Sequence, residues 1–300
     1  MSTKGYIDFL TRMGHRIVRV GSTDWFNPSP RVFTPLPFHA VIDPVTTTWS
    51  HLFSQGCLIA RCATPSPWGR LSYRLVIDDP KYGLDHLTSK SRNQTRRGLE
   101  SCDVRPLTFE NLITDGTHLE RDTLLRQGRR IPRSHDAYWR RYFHAAAVTD
   151  GAIAWGAFHQ KTLAAYLVAF EMDERFHILI LRSATAQLRH YPNNALLFEF
   201  ARIALRDGSV REVSIGFESL QNGIASLDHF KEGLGFRKLP VRQYVTLSPA
   251  LRSTLRGPLL KASASVLDLF PRSETARKLS GMLRWYDAQR VGAAPGASLE

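Results

Sequence analysis

Three sets of side chains in this sequence of 300 residues could do chemistry. Arg182 ends the almost wholly apolar run Phe176–Ser183, and an unpartnered guanidinium is costly to bury there. It is therefore either a ligand for a substrate phosphate or one member of a structural ion pair. The second set is a basic helical stretch. Lys90 and Arg97 fall together with Gln94 on one side, and Arg92 and Arg96 on the other. A guanidinium matches phosphate in a bidentate way that an ammonium cannot, so these positions suit substrate phosphates or RNA. A solvated helix face would read the same way. The third set, Trp139, Arg140, Arg141 and Tyr142, interleaves aromatic and cationic groups and fits an acceptor pocket as well as ordinary packing.

Several chemistries lose their usual support. The chain has no GxxxxGK[ST] loop, no GxGxxG after a strand, no GxSxG elbow and no HExxH. Cys57, Cys62 and Cys102 are odd in number and sparse, so no disulfide framework is expected. There is no CxxC pair to begin a four-ligand zinc site. The net charge of +13 favours anionic partners such as nucleic acid, phosphorylated cofactors or a membrane face, although a merely basic protein would show it too. No apolar run has signal-peptide length or approaches the ~20 residues that span a bilayer. The expected location is cytoplasmic, with peripheral contact at the inner membrane face as an extension.

The elements that must position these groups are clearest from Gly151 onward. Ala152–His159, Leu163–Glu171 and Phe176–Ser183 are strand-like runs with short polar joins, which predicts an antiparallel meander. The second and third are apolar enough to be covered on both faces. A helix capped by asparagine follows Pro192, with Leu196, Leu197, Phe200, Ile203 and Ala204 on one face and Gly208 at its end. Then come a strand over Glu212–Phe217, a helix from about Asn222 with Ile224, Leu227 and Phe230, a stop at Gly235, and a strand over Val241–Leu247. Upstream, Leu71–Ile77 and Asp103–Leu107 read as strands. Leu84 to about Leu99, Phe109–Arg126 and Asp136–Ala147 read as helices. Residues 1–70 show little order, with strand signals at His15–Val20 and Cys57–Cys62 and a loop-rich region around Pro28, Pro30, Pro35, Pro37 and Pro44. Two helices, Leu259–Phe270 and Glu274–Gln289, close the chain before a tail, Gly292–Glu300, expected to be disordered. The second is basic and amphipathic, fit for docking on its own domain or for lying on anionic lipid.

The element order from Asp103 to Leu247 resembles the GNAT acyltransferase fold, a mixed, mostly antiparallel sheet with flanking helices. His229-Phe230-Lys231-Glu232-Gly233-Leu234-Gly235-Phe236 looks like that superfamily's final helix and its turn into the last strand. Leu75-Val76-Ile77-Asp78, followed by Ser89-Lys90-Ser91-Arg92-Asn93-Gln94-Thr95-Arg96-Arg97, resembles the FemAB-type branch. There a strand ending in an acidic turn leads to a helix with a K-x-R-x-x-x-R-like core, and Phe230-Lys231 matches the branch's Phe-Lys. The likeness covers roughly residues 70–250. It implies two GNAT-like units with substrate between them. The expected divisions are 1–102, a degenerate GNAT-like domain; 103–250, the acyltransferase domain; and 251–300, basic helices and tail.

What the resemblance implies is acyl or aminoacyl transfer to an amine of a cell-envelope or polysaccharide precursor. The donor would be aminoacyl-tRNA or an acyl-CoA, with no permanently bound cofactor, no metal and no stable protein partner. In such a fold two parallel strands splay, and their ends frame the site: here Arg182 and Ser183 on one, Glu218 after the other. Lys231 would stabilise an oxyanion or hold a phosphate, and Glu218 would accept the proton of the attacking amine. His190 and Tyr191 would stack on a base or ribose, with Lys90 and Arg97 holding phosphates. Coenzyme A users carry a glycine-rich loop at the start of the helix after the meander. This chain has Ala184-Thr185-Ala186-Gln187-Leu188-Arg189-His190-Tyr191-Pro192, without glycine, and Lys231 in place of a tyrosine acid. An acetyl-CoA N-acetyltransferase, or a non-catalytic GNAT-like protein binding RNA or an anionic glycolipid, stand as alternatives.

Overall fold

Tyr6, Phe9 and Leu10 lie buried along one side of a first helix, α1 (Lys4–Arg12), at the i, i+3, i+4 spacing of an amphipathic helix. This comes from a computed structural model that describes residues 3–220, 225–271 and 273–291. Strands β1 (Ile17–Val20), β2 (Thr23–Ser29) and β3 (Val32–Leu36) follow as an antiparallel series. The expected proline-rich loop is thus partly sheet. Pro28 and Pro35 sit inside strands; the β2–β3 register shifts between Phe26 and Ser29, an irregularity of the kind that tolerates the missing N–H of Pro28, whereas Pro35 stands in register opposite Trp25. Next come α2 (Trp49–Ser54), β4 (Ile59–Thr64) and β5 (Arg70–Ile77).

The helix expected from Leu84 begins later. Leu84–His86 is a 3₁₀ turn, and α3 (Ser89–Ser101) starts after Thr88, whose hydroxyl accepts from the Ser91 N–H. After β6 (Asp103–Leu107), the segment expected as one helix is broken into α4 (Phe109–Asn111), a π turn (Leu112–Gly116) and α5 (Thr117–Arg126). Then follow α6 (His135–Ala147) and the meander of β7 (Ala152–His159), β8 (Thr162–Met172) and β9 (Arg175–Ser183). Helix α7 (Pro192–Arg206) has no asparagine cap. Its N-cap is Tyr191 in the left-handed region at φ +52°, Pro192 opens the first turn, and Asn194 is buried inside. Its buried face holds Leu196, Leu197, Phe200, Ala201 and Leu205, whereas Ile203 is exposed. The chain continues through β10 (Glu212–Phe217), α8 (Ala225–Gly233), β11 (Arg237–Leu247), α9 (Pro249–Thr254), α10 (Pro258–Asp268) and α11 (Glu274–Val291). Asn222, Ile224 and the expected tail Gly292–Glu300 lie outside the described residues.

These elements form two units. Unit 1 takes residues 3–13, 74–216 and 225–239; unit 2 takes 14–73, 217–220 and the described part of 240–291. In unit 1 the strand order is β5-β10-β9-β8-β7-β6. Every residue from Leu163 to Phe170 on β8 is buried, because both sheet faces are covered there as expected, whereas β9 departs from the same expectation with Leu179 exposed. On one face Phe170 meets Tyr6 and Phe9 of α1 at 4.8 and 4.6 Å. On the other, Phe200 of α7 meets Trp155 and Phe176 at 5.9 and 5.6 Å. In unit 2 the order is β1-β2-β3-β4-β11, with β3 and β4 parallel and β4 and β11 antiparallel. One side holds Trp25, Phe33, Leu52 and Cys57; the other takes Leu260, Met282, Leu283 and Tyr286 from α10 and α11 against Val245 and Leu247. The amphipathic α11 therefore docks on its own unit.

Helix α3 packs on the first turn of α7 through small residues, Ser91, Thr95 and Gly98 being its buried set. A Cβ at Gly98 would lie 2.7 Å from the Tyr191 carbonyl oxygen and 3.1 Å from the Ala195 Cβ. Backbone does not give way as a side-chain tip does. Gly98→Ala should therefore lower stability by about 1–3 kcal/mol despite alanine's better helix propensity. The thermal midpoint reads this directly, and an unchanged midpoint would mean that the helices separate freely.

Candidate functional site

The parallel strands β9 and β10 pair over three positions only, Glu212↔Arg175, Val213↔Phe176 and Ser214↔His177. Beyond His177, β9 stays paired with β8 as far as Ala165↔Ser183. At Gly216, φ +101°, β10 takes a backbone conformation that only glycine adopts readily. The register of the parallel pair thus stops well short of the end of β9.

At that end Arg182 is one half of an ion pair. Its Nε donates to Glu120 of α5 at 2.8 Å, and the other Glu120 oxygen accepts from the Tyr166 hydroxyl at 2.8 Å. Burial raises the Glu120 pKa, against the pull of Arg182. Ser183 is buried; its hydroxyl accepts from Asn193 Nδ2 at 3.1 Å and its carbonyl from Arg126 at 3.0 Å. The His190 ring stacks on His159 at 3.8 Å, and the Arg97 guanidinium lies 5.1 Å from the centre of the Tyr191 ring. Both rings expected to meet a nucleotide thus have partners within unit 1. Arg92 spends its donors on the carbonyls of Leu84 and Leu87, and Lys90 and Arg96 are exposed. Tyr142 packs edge-on against Phe9 at 4.8 Å and Trp139 stacks on Phe143 at 5.8 Å, which is core packing.

Lys231 lies on α8 with its Nζ 3.2 Å from Asp228 Oδ1, the two side chains only 13% and 12% exposed. The turn after it is anchored by the Thr88 N–H on the Gly233 carbonyl, 3.1 Å, and the Tyr82 hydroxyl on the Leu234 carbonyl, 2.6 Å. Gly235, φ +86°, makes the reversal.

Glu218 belongs to unit 2, where it lines a cavity of about 350 Å³. Phe26, Phe33, Phe38 and Phe217 make the walls apolar, and Arg61, Gln243 and Glu218 supply the polar groups. Glu218 Oε2 accepts from the Ser72 hydroxyl at 2.8 Å. Arg61 Nε donates to Gln243 Oε1 at 2.7 Å and Nη2 to the Glu218 carbonyl at 3.1 Å. Among the described residues, Arg61 Nη1 and Glu218 Oε1 have no hydrogen-bond partner. Burial lowers the Arg61 pKa to about 10, while Glu218 opposes the shift, so the guanidinium is charged at neutral pH. A fixed cation beside a carboxylate in an apolar cavity can bind an anion and accept a proton. Arg61 was not among the residues singled out in the sequence. Its signal was the one applied to Arg182, a lone arginine within a strand of apolar and small residues, Ile59–Thr64. Among the described residues no cluster of His, Cys, Asp and Glu could hold a metal ion.

No protein-family profile matches the chain, and no curated protein sequence matches it. Solved structures do. FemX is 9% identical with a TM-score of 0.56, covering 84% of this chain and 93% of that one. The C-terminal domain (DUF2156) of a protein assigned as a lysylphosphatidylglycerol synthetase, from Agrobacterium fabrum, is 12% identical with a TM-score of 0.55, covering 84% and 91%. L-PGS from Bacillus licheniformis is 11% identical with a TM-score of 0.52, covering 83% and 92%. The meander and the short parallel pairing agree with these likenesses: the chain has a FemAB-like fold of the GNAT type.

Proposed function

We propose that the protein is an acyltransferase that moves an aminoacyl or acyl group onto an amine of a cell-envelope precursor. The observation that carries this reading is the Arg61–Glu218 pair in an aromatic-walled cavity, within a chain whose fold is shared with FemX and with a lysylphosphatidylglycerol synthetase domain. The latter name denotes an aminoacylated phospholipid, a cell-envelope molecule. The amine nitrogen attacks the donor's ester or thioester carbonyl carbon and the carbonyl becomes an oxyanion. Glu218 accepts the proton released by the amine, the oxyanion collapses as the C–O or C–S bond breaks, and the departing oxygen or sulfur takes that proton from Glu218. Arg61 neutralises an anionic group of donor or intermediate. The tight seat of α3 on the first turn of α7 favours aminoacyl-tRNA over acyl-CoA. The N–H groups that would grip a pyrophosphate lie beneath another helix there, and those of Asn194 and Ala195 bond the Tyr191 carbonyl.

The test is a transfer assay with purified protein, aminoacyl-tRNA or acetyl-CoA as donor, and amine-bearing muropeptide precursors as acceptors, read by mass spectrometry. A mass increase of one acyl group, lost in Glu218→Gln by a factor of about 10² or more, is expected. Salt-sensitive RNA binding without product would favour the non-catalytic alternative. Lys231 enters the proposal separately, as a cation of unit 1 that holds a donor phosphate. Lys231→Ala should raise the KM for the donor about tenfold or more. A lower melting temperature with an unchanged KM would leave Lys231 as the partner of Asp228 and nothing more.

A further inference from the structure

Helix α10 is apolar on two sides, and only one of them is used. Leu260 and Ala264 are buried with Met282 and Leu283 of α11 in the interior of unit 2. Leu259, Val266, Leu269 and Phe270 are 60%, 54%, 75% and 57% exposed. At 100° per residue Leu259 and Val266 fall within about 20° of one another, away from the docked face, and Leu269 and Phe270 follow directly after the helix ends at Asp268. Exposed large apolar side chains are unremarkable singly; four along one helix and the two residues just past it make an apolar stripe that marks a contact surface.

The charges around the stripe say what covers it. Arg256 is exposed just before the helix, and Lys261 in its first turn, on the flank between the docked face and the stripe. The acids of the two helices nearest the stripe are already engaged: Asp268 by Arg284 and by the Ser280 hydroxyl at 2.6 Å, and Glu274 by Lys278 at 2.6 Å. From position 249 to 291 the sequence holds eight Lys and Arg against three Asp and Glu, a net of +5. A second copy meeting this surface about a two-fold axis would bring the same cations together. An anionic bilayer would satisfy both the apolar stripe and the cations. Helix α10, with its 11 residues, is about 16 Å long, half a bilayer's hydrocarbon thickness, so it would lie in the interface without spanning it.

We propose that unit 2 docks on anionic membrane through the outer face of α10 and the turn just past it, with Leu259, Val266, Leu269 and Phe270 entering the headgroup boundary and Arg256 and Lys261 meeting lipid phosphates. This does not depend on the reading of the cavity.

The test is flotation of the full chain with vesicles of phosphatidylcholine, with and without phosphatidylglycerol. Binding to the anionic vesicles alone is expected. It should weaken about tenfold or more in Leu269→Ser/Phe270→Ser, two apolar side chains having left the interface. A loss of about tenfold is also expected in Arg256→Glu/Lys261→Glu, which alters only exposed cations, with thermal unfolding unchanged in that variant. Failure of the native chain to float with anionic vesicles would overturn the proposal. So would a concentration-dependent dimer, seen by sedimentation velocity, that the apolar variant dissolves, since the stripe would then belong to a second copy.

Discussion

Arg61→Ala is expected to reduce transfer about a hundredfold or more while leaving the chain folded. The guanidinium is fixed on two sides, by Gln243 at 2.7 Å and by the Glu218 carbonyl at 3.1 Å, and it lies 5.9 Å from the centre of the Phe217 ring. Its Nη1 lacks a protein partner among the described residues, so a preset donor remains for an anion. A preset donor spares the reorganisation that otherwise accompanies the build-up of charge. Arg61→Lys keeps the charge but loses the fork that holds Gln243 and the carbonyl together, and about a tenfold loss is expected. The pH dependence carries a sign. Burial lowers the pKa to about 10, so the cation persists at neutral pH and is lost as pH rises through about 10, well before an ordinary arginine would titrate. Pyrophosphate binding, followed by calorimetry, should fall off in that range in the native protein and be weak throughout in Arg61→Ala. Full turnover and undiminished pyrophosphate binding in Arg61→Ala would reduce Arg61 to a brace between strands.

Legibility in the sequence followed the local rules. Between Asp103 and Phe217 the strands were found nearly to the residue, because β8 is an unbroken apolar run and the joins are short and polar. The π turn at Leu112–Gly116 escaped, since it is set by packing: a Cβ on Gly116 would lie 3.1 Å from the Phe143 ring. The β2–β3 hairpin escaped because Pro28 and Pro35 read as loop, and only the register shift beside Phe26 shows why Pro28 is tolerated. The asparagine cap was a sound local inference that tertiary structure overrode. Asn193 turns to the Ser183 hydroxyl, and Asn194 to Gln94 of α3 at 3.5 Å. The site divided in the same way. Glu218 was visible as the acid closing a strand, whereas Arg61 and Gln243 meet it from strands 157 and 25 residues away in sequence. The missing glycine of the loop before α7 also has a physical counterpart. The close approach happens there, but the glycine that permits it is Gly98 on α3.

The largest loss of stability is expected from Glu212→Gln, about 3–5 kcal/mol. Glu212 stands on β10 in the first of the three positions paired with β9, and its two oxygens accept from Arg74 of β5 at 2.5 and 3.0 Å. Arg175, its register partner on β9, comes within 4.0 Å. The Arg74 and Glu212 side chains are 9% and 8% exposed, so water can replace little of what the pair supplies. Removing the carboxylate leaves two arginines facing each other with one of them buried, which is worse than removing both charges. Glu212→Gln/Arg74→Met should therefore recover most of the lost stability, a coupling that a double-mutant cycle on denaturant midpoints measures. An additive cycle would show that the pair is not coupled and that the three strands are held by their backbone ladders alone. The location gives the measurement its functional meaning. This ion pair ties β5, β10 and β9 together just before the β9–β10 register ends. Because β10 runs on into Glu218, a variant that folds with this pair loosened should lose transfer more than it loses affinity, alignment being degraded before binding.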